Sequence, residues 1–122
     1  MAVLEWISQL RDLGYAAEQF VAPNVLAFPF TVPAGSFAGQ GVRIALAIPD
    51  DPLTPPSGLH VSPCLLALHP DQSVAHPVGG VHAAPHLGAD WQYWSRPFLG
   101  WLNTSRDAAA YLAHIRHLFV TA

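Results

Sequence analysis

Few residues in this 122-residue chain could do chemistry, and their spacing is unusual. There is one cysteine, Cys64, and a thiol becomes a nucleophile only where its surroundings lower its pKa and leave it partly exposed. Leu65 and Leu66 follow it directly, a setting that suits a small buried hydrophobe, so acceptor thiol and core residue are both open readings. Five of the seven histidines, His60, His69, His76, His82 and His86, crowd into 27 positions. Imidazoles at that density could hold zinc or another borderline metal. His82 and His86 have the spacing of two ligands on one helical face, but Gly79, Gly80, Pro85 and Gly88 oppose a helix there. No carboxylate or second cysteine completes a familiar ligand set, so the expectation is locally hydrogen-bonded histidines, no metal and no cofactor. Serines, histidines and aspartates are too scattered for a nucleophilic triad, and no glycine-rich phosphate loop is present.

Composition narrows the field further. Eight acidic residues face five arginines, lysine is absent, and the net charge is −3. Without a basic stripe to neutralise phosphates, nucleic-acid binding is not expected. No apolar run approaches the ~20 residues of a membrane span, and the start Met1–Trp6 lacks the pattern of a signal peptide. One thiol cannot build a disulfide framework. The expectation is a soluble, cytoplasmic, single-domain protein spanning residues 1–122.

The elements that must position these residues follow from periodicity. Val3, Leu4, Ile7, Leu10 and Leu13 form a helical stripe, which predicts a helix over 2–13 closed by Gly14. Residues 25–32 and 42–48 read as two strands joined by a glycine-rich loop, an antiparallel hairpin with Pro29 at an edge or bulge. A third strand is predicted within 59–68, where Pro63 interrupts it. The stretch 69–97 has little periodicity, but its aromatic residues oppose disorder, which predicts an ordered irregular segment. Thr104 and Asp107 suggest a capping box for a final helix whose apolar face is Ala108, Tyr111, Leu112, Ile115, Leu118 and Phe119. His114 and His117 read as partners of that helix's C-terminal dipole. Helices segregated from an antiparallel sheet make an α+β domain.

Two segments carry a family resemblance. Ile48-Pro49-Asp50-Asp51-Pro52-Leu53-Thr54-Pro55-Pro56 resembles the Y-P-F-x-P-P corner of the ubiquitin-conjugating-enzyme superfamily, which also includes RWD domains. Trp91-Gln92-Tyr93-Trp94-Ser95-Arg96-Pro97, with Trp101, resembles the W-Q-x-W-S-R signature of a bacterial branch of it. The resemblance implies a UBC-like or RWD-like fold: N-terminal helix, antiparallel meander of three to four strands, long irregular segment, C-terminal helix. His69-Pro70-Asp71 is similar to the family's H-P-N, with Asp71 in place of the asparagine, and His82 stands where its acceptor cysteine is expected, a few residues late. Cys64 lies before that motif. An ionised Asp71 would repel an oxyanion that an amide would stabilise, and an acyl-imidazole on His82 would hydrolyse quickly.

The resemblance therefore implies a subunit of a bacterial ubiquitin-like modification pathway, in an antiphage defence setting, with a degenerate site. Its partners would be the ubiquitin-like modifier and the activating enzyme, contacted through Trp6, Pro55, Pro56, Trp91 and Arg96. Trp94 and Trp101 are expected to be core pins, Arg96 a clamp, and Trp91 the more exposed indole. Two alternatives stay open: an active carrier forming a thioester on Cys64, and a small histidine-rich metal-binding protein.

Overall fold

In a computed structural model, which describes residues 2–63, 65, 81–83, 86–94, 98 and 100–121, the N-terminal stripe forms helix α1 (Ala2–Asp12). Val3, Trp6, Ile7 and Leu10 point inward from it. The helix ends as its sequence predicts. Gly14 has φ +96°, the Tyr15 amide donates to the Leu10 carbonyl at 2.9 Å, and the Gly14 amide donates to that of Arg11 at 3.0 Å. Glycine takes this left-handed position at least cost, and the two bonds use carbonyls the helix leaves without partners.

Branched and aromatic residues then build six strands: β1 (Glu18–Phe20), β2 (Ala22–Thr31), β3 (Gly41–Ala47), β4 (Ser57–Ser62), β5 (Val81–Ala83) and β6 (Gln92–Trp94). Every pairing is antiparallel and the spatial order is β1-β2-β3-β4-β6-β5. The hairpin of β2 and β3 is in register from Val25↔Ala47 to Thr31↔Gly41. β1 pairs with β2 no further along than Ala27, so Pro29 lies where β3 is its one paired neighbour among the described strands, opposite Arg43.

The sheet contains the expected antiparallel meander of three to four strands and is larger than it. β1 to β4 form it, and two more strands come from the segment read as irregular. β5 and β6 have three residues each, too short for an alternating pattern to register; β6 pairs on the edge of β4, and β5 on β6.

The pleat gives the sheet two unlike faces. Leu26, Phe28, Phe30, Val42, Ile44, Leu46, Leu59, Val61 and Trp94 share one core cluster with α1 and helix α2 (Ala108–Thr121). Burying each large side chain there contributes about 1.5–3 kcal/mol. The second face carries a satellite cluster of Ala27, Ala45 and Trp91, with Phe20, Val25, Leu87 and Tyr93 packed against it. No helix among the described residues is long and apolar enough to cross a membrane.

α2 begins differently from the expected Thr104–Asp107 box. Asp107 is itself the cap: its Oδ1 accepts the Ala110 amide at 3.0 Å and its carbonyl the Tyr111 amide at 3.1 Å. Gln9 of α1 accepts the Ala108 amide at 2.8 Å, so one helix caps the other across 99 residues of sequence. Thr104 instead accepts the Arg106 amide and donates to the Trp101 carbonyl. His114 is not a dipole partner either. It lies in mid-helix with its ring stacked on Phe98 at 4.3 Å, and exposed His117 precedes the last turn.

At the other end of α2, Gly35 of the hairpin loop (φ +91°) packs so closely that a Cβ would collide with the Phe119 carbonyl oxygen. Gly14, by contrast, has open space around it. Gly14→Ala should therefore cost about 1 kcal/mol in urea unfolding, the left-handed backbone alone, and Gly35→Ala clearly more. Equal losses would show that the loop does not touch the helix. Asp107→Ala should cost about 1 kcal/mol.

Candidate functional site

The proline corner is a preformed structure. Asp51 Oδ1 accepts the Leu53 amide at 2.9 Å and Oδ2 accepts the Thr54 hydroxyl at 3.1 Å, so a short acidic side chain folds the turn on itself. The start of α1 is tied to it, with the Ala2 amide donating to Asp50 Oδ1 at 3.2 Å. From the other side Trp101, in a short 3-10 helix (Trp101–Asn103), donates its Nε1–H to the Pro52 carbonyl at 3.1 Å. The same indole lies 6.2 Å from Trp6 in a near-parallel stack, and its neighbours Tyr111 and Phe98 meet it edge-on at 6.2 and 5.5 Å.

Where α1, the corner and the Trp101–Arg106 segment meet, they leave a crevice of about 220 Å³. Glu5, Asp50, Asp51 and Arg106 line it together with Trp6 and Pro56. Two of its three acids already serve the fold: Asp50 and Asp51 accept the bonds just described. Among the described residues, no thiol or imidazole lines it. An aromatic floor under a mostly acidic lining suits recognition rather than bond making.

This places several of the residues expected to bind partners. Trp6 is 8% exposed and Pro56 is buried; Trp101 and Tyr111 cover the Trp6 ring, and what the two side chains present is part of the crevice lining. The outward strip of α1 is Leu4, Glu5 and Ser8. Pro55 is half-buried and lines a shallow dent with Asn24, Ala47, Pro49 and Thr54. Trp94 and Trp101 are core pins, 0% and 3% exposed. Trp91 corrects the expectation of an exposed indole: at 6% it is buried on the second face, because Ala27 and Ala45 beneath it are small enough to receive a flat ring. The Arg43 guanidinium sits 4.8 Å from the Phe20 ring centre and 5.7 Å from that of Trp91, closing the cluster from outside.

Cys64, His69, Asp71, His76 and Arg96 lie outside the described residues. His82 is in β5, its backbone opposite Tyr93, which in turn faces His60 on β4. The strand here agrees with the reading that opposed a helix through His82 and His86. Among the described residues, no group of three or more histidines, cysteines or acids is placed to hold a metal ion.

Sequence reasoning missed Gln92. It is 1% exposed, the one buried polar residue among those described, and its Oε1 accepts both the Leu65 amide at 3.1 Å and the Trp94 Nε1–H at 3.3 Å. It thereby anchors the chain just past β4. The available signal was its place two residues before Trp94, on the same face of a strand. Tyr111 is also distinctive: burial pushes its hydroxyl well above the ordinary value of 10.0.

Two outcomes follow from these contacts. Trp101→Phe removes one buried donor and should cost about 1–2 kcal/mol, with faster amide exchange at Leu53 and Thr54; unchanged exchange would mean that the indole does not hold the corner. The folded chain keeps Tyr111 neutral while the unfolded chain ionises near pH 10, so stability should fall as pH rises above about 10, and Tyr111→Phe should flatten that fall in alkaline melts. Compared with protein-family models, with curated proteins and with solved structures, the chain matches none.

Proposed function

We propose that this chain is a ubiquitin-conjugating-enzyme-like subunit of a bacterial ubiquitin-like modification pathway, binding the modifier or its activating enzyme without a standard acceptor cysteine. The observation that supports this reading is the proline corner. It lies between β3 and β4 of the antiparallel meander that follows α1, and it is tied on one side to α1 and on the other to Trp101 from the tryptophan segment. A corner clamped from both sides holds its shape without a ligand, which lowers the ordering cost of docking.

The chemistry of the family positions favours binding over carrying. Asp71 offers a carboxylate where an amide would stabilise an oxyanion, and His82 offers an imidazole whose acyl adduct would not last. The contact surface for the activating enzyme would be the outer strip of α1, Leu4, Glu5 and Ser8, next to the acidic lining of the crevice. Such a pathway, including one serving antiphage defence, runs in the cytoplasm, where a single thiol stays reduced.

The test mixes the chain with the modifier, the activating enzyme and ATP. The expected result is a complex on gel filtration with no reductant-sensitive adduct, and at least tenfold weaker binding by Leu4→Asp. An adduct that disappears in Cys64→Ala would replace this reading with an active thioester carrier. Absence of both complex and adduct would remove the chain from such a pathway.

A further inference from the structure

Two histidines, His60 and His86, meet on the second face of the sheet. His60 is held in β4, between β3 and β6, with its ring 4.9 Å from that of Tyr93. His86, in the turn that leads toward Trp91, brings its ring centre to 5.7 Å from that of His60. These residues are 26 positions apart in sequence, so the pairing of β4 with β6 is what makes them neighbours.

We propose that His60 and His86 form a binding site for a divalent transition-metal ion of borderline character, such as Zn²⁺ or Ni²⁺. With metal–nitrogen bonds of about 2.0–2.1 Å, two imidazoles on one ion have ring centres on the order of 5 Å apart, close to the spacing seen. The rings stand near-perpendicular at 87°, and an ion must lie in the plane of each. His86 is exposed, so its ring can turn about the side-chain torsion without disturbing the core. His60 is half-buried against Tyr93, which fixes one ligand in advance. Two imidazoles select nitrogen-seeking ions over Mg²⁺ or Ca²⁺, which prefer oxygen. Among the described residues, the backbone of His82 on β5 lies opposite Tyr93, two strands from His60. The site is separate from the proline-corner crevice and does not rest on the reading of the chain as a conjugation subunit.

The test is calorimetric titration of the metal-stripped chain with Zn²⁺ and, separately, Ni²⁺, with Mg²⁺ as the contrast. One ion per chain should bind at micromolar concentration, with no response to Mg²⁺. His86→Ala, an exposed substitution that leaves the melting temperature unchanged, should weaken binding at least tenfold. His60→Ala should do the same, and Ni²⁺ should broaden the ring-proton resonances of both histidines in the parent chain. No saturable uptake, uptake that survives both substitutions, or uptake lost in His117→Ala instead would overturn the site.

Discussion

The indole of Trp101 is the point on which the rest of this structure depends. Its ring fills the space between Trp6 of α1, Tyr111 of α2 and Phe98, and its N–H ends on the Pro52 carbonyl. One side chain therefore joins both helices, the proline corner and the tryptophan segment. A large aromatic ring suits this work because it buries apolar area on every side while its single donor fixes one direction. The cross-helix cap from Gln9 to Ala108 follows from the same junction, since it needs the two helix ends held side by side.

The two faces of the sheet divide the labour. The helix-covered face is a continuous core of large residues, from Leu26 and Phe28 on β2 through Ile44 and Leu46 on β3 to Trp94 on β6. The second face has no helix over it among the described residues. It is covered where Trp91 lies on Ala27 and Ala45 with Arg43 outside, and further along the sheet it carries His60, Tyr93 and His86. The proposed docking surface and the proposed metal site thus lie in different parts of the fold, one beside the clamped corner and one on the sheet's thinly covered side.

Legibility in the sequence followed the range of the interactions. α1 and its glycine stop, the β2–β3 hairpin, the edge position of Pro29 and the apolar face of α2 all depend on neighbours within one or two turns or across one loop, and each could be read directly. β5 and β6 could not, because three residues give no period and it is pairing, of β6 on β4 and of β5 on β6, that makes them strands. The burial of Trp91 is illegible for a similar reason. Its burial depends on alanines at 27 and 45, far away in sequence and small for reasons that no local pattern reveals. Thr104 and Asp107 satisfy the spacing of a box and so point to a cap one turn before the observed one, while Gln9 supplies from another helix part of what the box would supply.

The sequence by itself determined the class of the domain, the order of its main elements and the residues that bury them, because hydrophobic periodicity and turn chemistry are local. It also set the terms of the functional question: one thiol, no lysine, and a histidine where the family resemblance calls for cysteine. Only the tertiary structure decided that Trp6 is spent on the core, that Gln92 is a buried anchor for the chain at Leu65, and that His60 and His86 meet. Those are contacts between strands and helices far apart in the chain. Their geometry is set by how the sheet pairs and which face each helix covers, and no spacing along the sequence encodes it.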